Sequence, residues 1–161
     1  MTGFDPIEHP RDFRAALGRF ATGVTVITAT AHPGPVGITA NSFASVSLDP
    51  PLVLWSPAKS SSRFDLFAGA EHYAIHVLDS HQREICDGFT RAKDAFDALD
   101  WAPGAQGVPL IEGCLARFEC RREAVHDAGD HAIIVGRVTR AAFRDGTPLL
   151  FQGGRFVSIR G

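Results

Sequence analysis

The sequence predicts a mainly β chain with a few helices, arranged as an antiparallel barrel in preference to a doubly wound parallel sheet. Runs rich in β-branched residues recur along it and are punctuated by Pro and Gly, the pattern of successive hairpins. The helical patches are short and do not alternate with strands as βαβ units would, and no Gly-x-Gly-x-x-Gly occurs. With 161 residues, 45% apolar and 21% charged, the chain suits one domain over 1–161 with its own core.

Each element follows from local pattern. Pro10, Phe13, Ala16, Leu17 and Phe20 fall at helical spacing with proline in the first turn, so a helix is expected, closed by Gly23. Val24 to Thr30 reads as a strand, and His32-Pro-Gly-Pro35 turns it into a second one. Phe43, Val46 and Leu48, with Ser45 and Ser47 among them, predict a third, twisted strand; Asp49-Pro-Pro51 breaks it and Leu52 to Trp55 forms the fourth. Ser62-Arg-Phe-Asp65 has the Ser-x-x-acid pattern of a helix start, with Phe64 and Phe67 or Ala68 as its apolar face before Gly69. Tyr73 to Leu78 is a strand, Gln82 to Phe89 and Ala92 to Leu99 are expected to be short helices, and Gly104 to Pro109 a loop. Strands return at Cys114 to Glu123, Ala132 to Phe143 and Arg155 to Ile159, with Arg144-Asp-Gly146 as a turn.

Composition excludes several classes. Sixteen basic against eighteen acidic residues give a net charge of -2 without a basic block, so no nucleic-acid partner is expected. No apolar run approaches the roughly 20 residues that span a bilayer, and the N-terminal residues lack a signal-peptide pattern, so the expected location is the cytoplasm, with no membrane partner. Cys86, Cys114 and Cys120 are odd in number and lack Cys-x-x-Cys spacing, which argues for reduced thiols. His72 and His76 share an apparent strand without a nearby acidic or Cys ligand set, so no metal is expected.

Two stretches carry chemistry. Thr39, Asn41, Ser42, Ser45 and Ser47 place hydroxyls and an amide inside β-type sequence, where polar groups buried without partners cost about 1 to 3 kcal/mol each. Read alone, Thr39, Ala40, Asn41 and Ser42 also fit the polar face of an ordinary hairpin strand. The second stretch, Ser56-Pro-Ala-Lys-Ser-Ser-Ser-Arg63, gathers Ser56, Lys59, Ser60, Ser61, Ser62 and Arg63 at an expected helix start, a ready anion site; one Ser would suffice for a cap. Gly129-Asp130-His131, read alone, is a turn opening a strand.

Gly23-Val-Thr-Val-Ile-Thr28, the Thr39 to Ser56 run, the helix start near Ser62, and Gly129-Asp-His131 ahead of Ala-Ile-Ile-Val-Gly136, in this order, resemble the short-chain flavin reductases. The match extends from about Phe13 to Ile159. Members supply reduced flavin to two-component monooxygenases. The resemblance implies a split β-barrel of the FMN-binding type, a homodimer with flavin near the subunit interface, FMN or FAD as flavin, NADH or NADPH as hydride donor, and a separate monooxygenase component. It implies that Thr39, Ala40, Asn41 and Ser42 run along the flavin ring, with Ala40 giving clearance; that Ser45 and Ser47 reach the ribityl and phosphate part; and that Ser56, Lys59, Ser60 and Ser62 meet the phosphate. Gly129, Asp130 and His131 would border the nicotinamide nucleotide, His131 stacking on the ring or polarising its carboxamide. Phe89-Thr-Arg91, Phe151 and Phe156 either border flavin or nucleotide or belong to the core. His76 stands where the family often carries Asn. Alternatives are a flavin carrier or sensor, which needs no nicotinamide site, and an oxidase resembling the pyridoxamine-phosphate oxidases, which these motifs fit less well. No catalytic side chain is expected, because the cofactors carry hydride transfer.

Overall fold

A computed structural model describes residues 1–158. Seven strands form one antiparallel sheet in the order β3-β2-β6-β9-β10-β5-β4: β2 (Thr25–Thr30), β3 (Pro35–Ala40), β4 (Ala44–Leu48), β5 (Pro51–Trp55), β6 (His72–Val77), β9 (Ala116–Ala128) and β10 (His131–Phe143). A smaller sheet pairs β1 (Thr22–Gly23) with β11 (Leu150–Gln152) and β12 (Arg155–Val157), and β7 (Trp101–Pro103) forms a hairpin with β8 (Pro109–Ile111). Three helices cover the sheets, α1 (Pro10–Leu17), α2 (Phe64–Gly69) and α3 (Arg83–Arg91). No helix among the described residues is long and apolar enough to cross a membrane.

β2 shows why the core closes. It is hydrogen-bonded to β3 on one side and β6 on the other, and successive side chains point to opposite faces. Ile27 and Ala29 accordingly join a cluster around Trp55, Phe67, Tyr73 and Ile134, while Val26 joins Leu78, Phe89, Phe96 and Ile111 in a second one. A Cβ at Gly136 on β10 would lie 2.1 Å from Tyr73 Oη, so only glycine lets the tyrosine pass beneath the strand. His76 on β6 is fully buried, with Nδ1 3.0 Å from the Val26 carbonyl and Nε2 accepting the Ile111 N–H at 3.1 Å. Both ring nitrogens are therefore used to tie β2 and β8 to the middle of the sheet.

Several boundaries differ from expectation. The first helix stops at Leu17, and Gly23 lies in β1, because Gly18 already closes the turn and Gly23 pairs with Leu150 across strands. The expected helix over 92–99 is a series of turns: Asp94 and Phe96 carbonyls accept locally, and Phe96 is drawn into the core beside Phe89 and Trp101. The expected loop at 104–109 is bracketed by β7 and β8, which are joined by a 3-10 turn at Ala105–Gly107. The strand expected at 114–123 starts at Ala116 and continues to Ala128, and β11 is an additional strand. The last expected strand runs from Arg155 to Val157; its expected end, Ile159, lies outside the described residues.

Candidate functional site

The end of β3 and the link to β4 face the loop after β5. Ile38, Thr39, Ala40, Asn41 and Ser42 form one wall of a cleft of about 260 Å³; Trp55, Ser56, Pro57, Ala58 and Ser61 form the other, and His131 completes the lining. Both motifs flagged in the sequence thus meet. Ser42 joins them directly, since its Oγ accepts the Ser56 N–H at 2.9 Å and donates to the Ser56 carbonyl at 3.2 Å.

A second cleft of about 330 Å³ shares Thr39, Ala40 and Asn41 and is otherwise lined by Val24, Cys86, Asp87, Thr90, Phe151 and Phe156. Phe151 and Phe156 meet edge to face at 5.4 Å, so they serve both as partners of the second core cluster and as cleft wall. The small Ala40 stands between the clefts, while Thr39 is fixed by donating its hydroxyl to the Cys86 carbonyl at 2.9 Å. Asn41 is exposed and borders both clefts. A larger depression of about 780 Å³, between His32–Val36 and the 92–101 turns, shares no residue with either cleft and contains none of the residues flagged in the sequence.

The cation and hydroxyl cluster is organised differently from a simple anion cradle. α2 is capped at Arg63 and no side chain caps it, so Ser62 does not close the expected capping box; Ser61 Oγ instead accepts the Arg63 N–H at 3.2 Å. Arg63 turns away to the Gly37 and Phe89 carbonyls, where loss of solvation lowers its pKa against the opposing pull of Asp94. Lys59 Nζ lies 2.8 Å from Asp127 Oδ2 and 2.6 Å from the Gly129 carbonyl. Ser60 and Ser62 are exposed, and Ser45 and Ser47 sit on edge strand β4; these four, with Lys59, Gly129 and Asp130, lie outside the cleft lining.

The turn between β9 and β10 carries Gly129, Asp130 and His131. Gly129 has φ of 71°, a left-handed conformation that suits glycine. His131 Nδ1 is 2.7 Å from Asp130 Oδ1, and the histidine's hydrogen bond and charge hold the Asp130 carboxyl below the usual carboxylate range. Trp55, Pro57 and Cys86 are lining residues that the sequence reading did not single out for the site, whereas Thr90 belongs to the Phe89-Thr-Arg91 segment that it did. Trp55 and Pro57 belong to the flagged run and loop, but Cys86 and Thr90 become neighbours of Thr39 only when α3 packs on β3, a contact with no local sequence signal.

Residues 17–160 match the flavin reductase like domain family. The chain is 66% identical over 149 residues to the FMN reductase (NADH) SmoA of Agrobacterium fabrum, covering 92% of this chain and 86% of that protein. It is 48% identical over 140 residues to the reductase component of the flavin-dependent trigonelline monooxygenase of Acinetobacter baylyi, covering 86% of this chain and 45% of that longer relative. Among solved structures, the NADH:FAD oxidoreductase SgcE6 of Streptomyces globisporus superposes with a TM-score of 0.92 at 37% identity, covering 100% of this chain and 93% of that one. The same protein in complex with NAD and FAD fragments gives a TM-score of 0.91.

Proposed function

The chain belongs to the flavin reductase family, and from that premise we propose that it takes hydride from NADH and delivers reduced FMN to a separate monooxygenase component, using the two clefts that share Thr39, Ala40 and Asn41. The convergence of the Thr39–Ser42 segment, the Ser56–Ser61 loop and His131 on one cleft is the observation that carries the assignment to this site. The donor set fits a flavin. An amide at Asn41, hydroxyls at Ser56 and Ser61, and a ring nitrogen at His131 stand among the apolar surfaces of Ile38, Trp55 and Pro57, which suits a flat heteroaromatic ring with donors and acceptors on its edge.

Bound flavin supplies the two-electron chemistry, so the chain's own work is binding and orientation. Ala40 leaves room for close approach of a ring to the strand, and Asn41 presents its amide to either cleft. Ser56 and Ser61 offer hydroxyls at the opposite wall, with Lys59, Ser60 and Ser62 beyond them toward solvent for the phosphate end, and Ser45 and Ser47 on the neighbouring edge strand. His131, its Nδ1 engaged by Asp130, keeps Nε2 for the nicotinamide carboxamide.

A homodimer is supported by apolar side chains that stay open to solvent among the described residues. Leu17 and Phe20 at the end of α1 are 60% and 78% exposed, Leu48 on β4 is 96% exposed and Phe143 on β10 is 88% exposed. Cys86, Cys114 and Cys120 are all unpaired thiols, which supports a reducing, cytoplasmic setting.

The direct test is the steady-state rate of NADH and NADPH oxidation with FMN, FAD and riboflavin, alongside flavin titration. FMN with NADH is expected to be the fastest pair. Protein that binds flavin saturably yet oxidises neither nucleotide would favour a carrier. A second expectation concerns His131→Ala, which should raise the KM for NADH about tenfold, equivalent to about 1.4 kcal/mol, with flavin affinity little changed. Parallel stopped-flow reduction and flavin titration separate the two quantities; unchanged KM and unchanged reduction rate would remove His131 from the nucleotide site.

A further inference from the structure

Lys59 is bound three times to the turn that carries His131. Its backbone N–H donates to the Asp130 carbonyl at 2.9 Å, and its ammonium donates to the Gly129 carbonyl at 2.6 Å and to Asp127 Oδ2 at 2.8 Å. The neighbouring backbone continues the attachment, with Ala58 bridged to His131 and the Ala132 N–H donating to the Pro57 carbonyl at 3.1 Å. An ammonium has three donors, so two of the three on Lys59 are spent inside the protein. Gly129, with its left-handed φ, presents the carbonyl that receives one of them.

From this geometry we infer that Asp127 and Lys59 are positioning residues for His131: their ion pair, closed by the Gly129 carbonyl, fixes the β9–β10 turn against the 56–61 loop and so sets where His131 meets the nicotinamide nucleotide. The inference rests on the reading of His131 given above. It assigns a role to Asp127, which lines neither cleft and whose side chain is 81% exposed, and gives Lys59 a task besides attracting a phosphate. The ammonium also holds the Asp127 carboxyl below the usual carboxylate range. A lone exposed ion pair holds little, but here backbone bonds on both sides already limit the turn, and the pair selects one arrangement within that limit.

The test compares Asp127→Asn, Lys59→Met and the double variant, at saturating FMN. Asp127→Asn is expected to raise the KM for NADH about fivefold, the upper end for an exposed pair, with kcat, melting temperature and flavin affinity nearly unchanged. The double variant should be no worse than the worse single one. An unchanged KM in Asp127→Asn, or losses that multiply in the double variant, would overturn the inference. His131→Ala, measured alongside, distinguishes the two readings. If it raises KM while Asp127→Asn does not, only the positioning role falls; if it leaves KM unchanged, the His131 site falls and the positioning role with it.

Discussion

Lowering the pH from about 7.5 to 4.5 is expected to weaken the fold by about 2.5 kcal/mol through His76 alone. Burial is the main cause: the ring is shut off from solvent, and this pushes the His76 pKa from 6.5 down to about 4, outweighing the Val26 carbonyl, while Arg117 acts in the same direction. In the unfolded chain the same imidazole titrates near its ordinary value. Between the two, the unfolded state binds a proton that the folded state refuses, so stability is complete above about pH 6.5 and falls until about pH 4. The hydrogen bonds explain the refusal, because Nε2 accepts the Ile111 N–H and has no room for a proton. Urea unfolding at about pH 7.5, 5.5 and 4.5 measures the slope, with His76→Gln as the comparison, since an amide offers a donor and an acceptor but does not titrate. A slope unchanged by that substitution would show that another group governs acid sensitivity. Asp79 operates in a lower window. It accepts hydrogen bonds from the His81 N–H and ring, from Arg144 and from Ser80, which depress its pKa, so its contribution is lost only as pH falls below the ordinary carboxylate range.

His76 also marks the line between what the sequence discloses and what it does not. A histidine in an apolar strand signals a satisfied core ring better than a metal ligand, but its partners, Val26 on β2 and Ile111 on β8, lie 50 and 35 residues away, and the β8 hairpin itself was not expected. Strands such as β2 and β6 were legible because β-branched residues and Pro or Gly breaks bound them. The 92–99 segment misled because Ala95, Phe96 and Leu99 fall at helical spacing, whereas Phe96 and Leu99 are held by packing against the second core cluster. At the site, the singling out of the Thr39–Ser42 segment, the Ser56–Ser61 loop and His131 followed from the family motifs, while their sharing of one cleft is seen only in the fold. The routing of Arg63 to backbone carbonyls and of Lys59 to Asp127 did not follow from them, because a cation's partner is chosen by the fold and leaves no trace beside it in the chain.

Ser42 is where that distinction has the largest consequence for binding. Its hydroxyl is committed to the Ser56 N–H and carbonyl, so it serves to hold one wall of the cleft to the other, and whatever it offers a flavin comes after that. Ser42→Ala leaves both Ser56 backbone groups without this partner. A part-buried backbone group deprived of its bond costs about 1 to 3 kcal/mol, which water entering the cleft offsets in part, so flavin affinity is expected to fall about tenfold or more. Because the defect is a loosened wall, FMN and riboflavin should lose affinity equally, and Ser42→Thr, which keeps the hydroxyl, should restore most of it. Fluorescence titration of the three proteins with both ligands decides the matter. A loss confined to FMN would instead make Ser42 a phosphate ligand, and undiminished affinity for both would mean that the Ser56–Ser61 loop keeps its place through its backbone attachments to β10 alone.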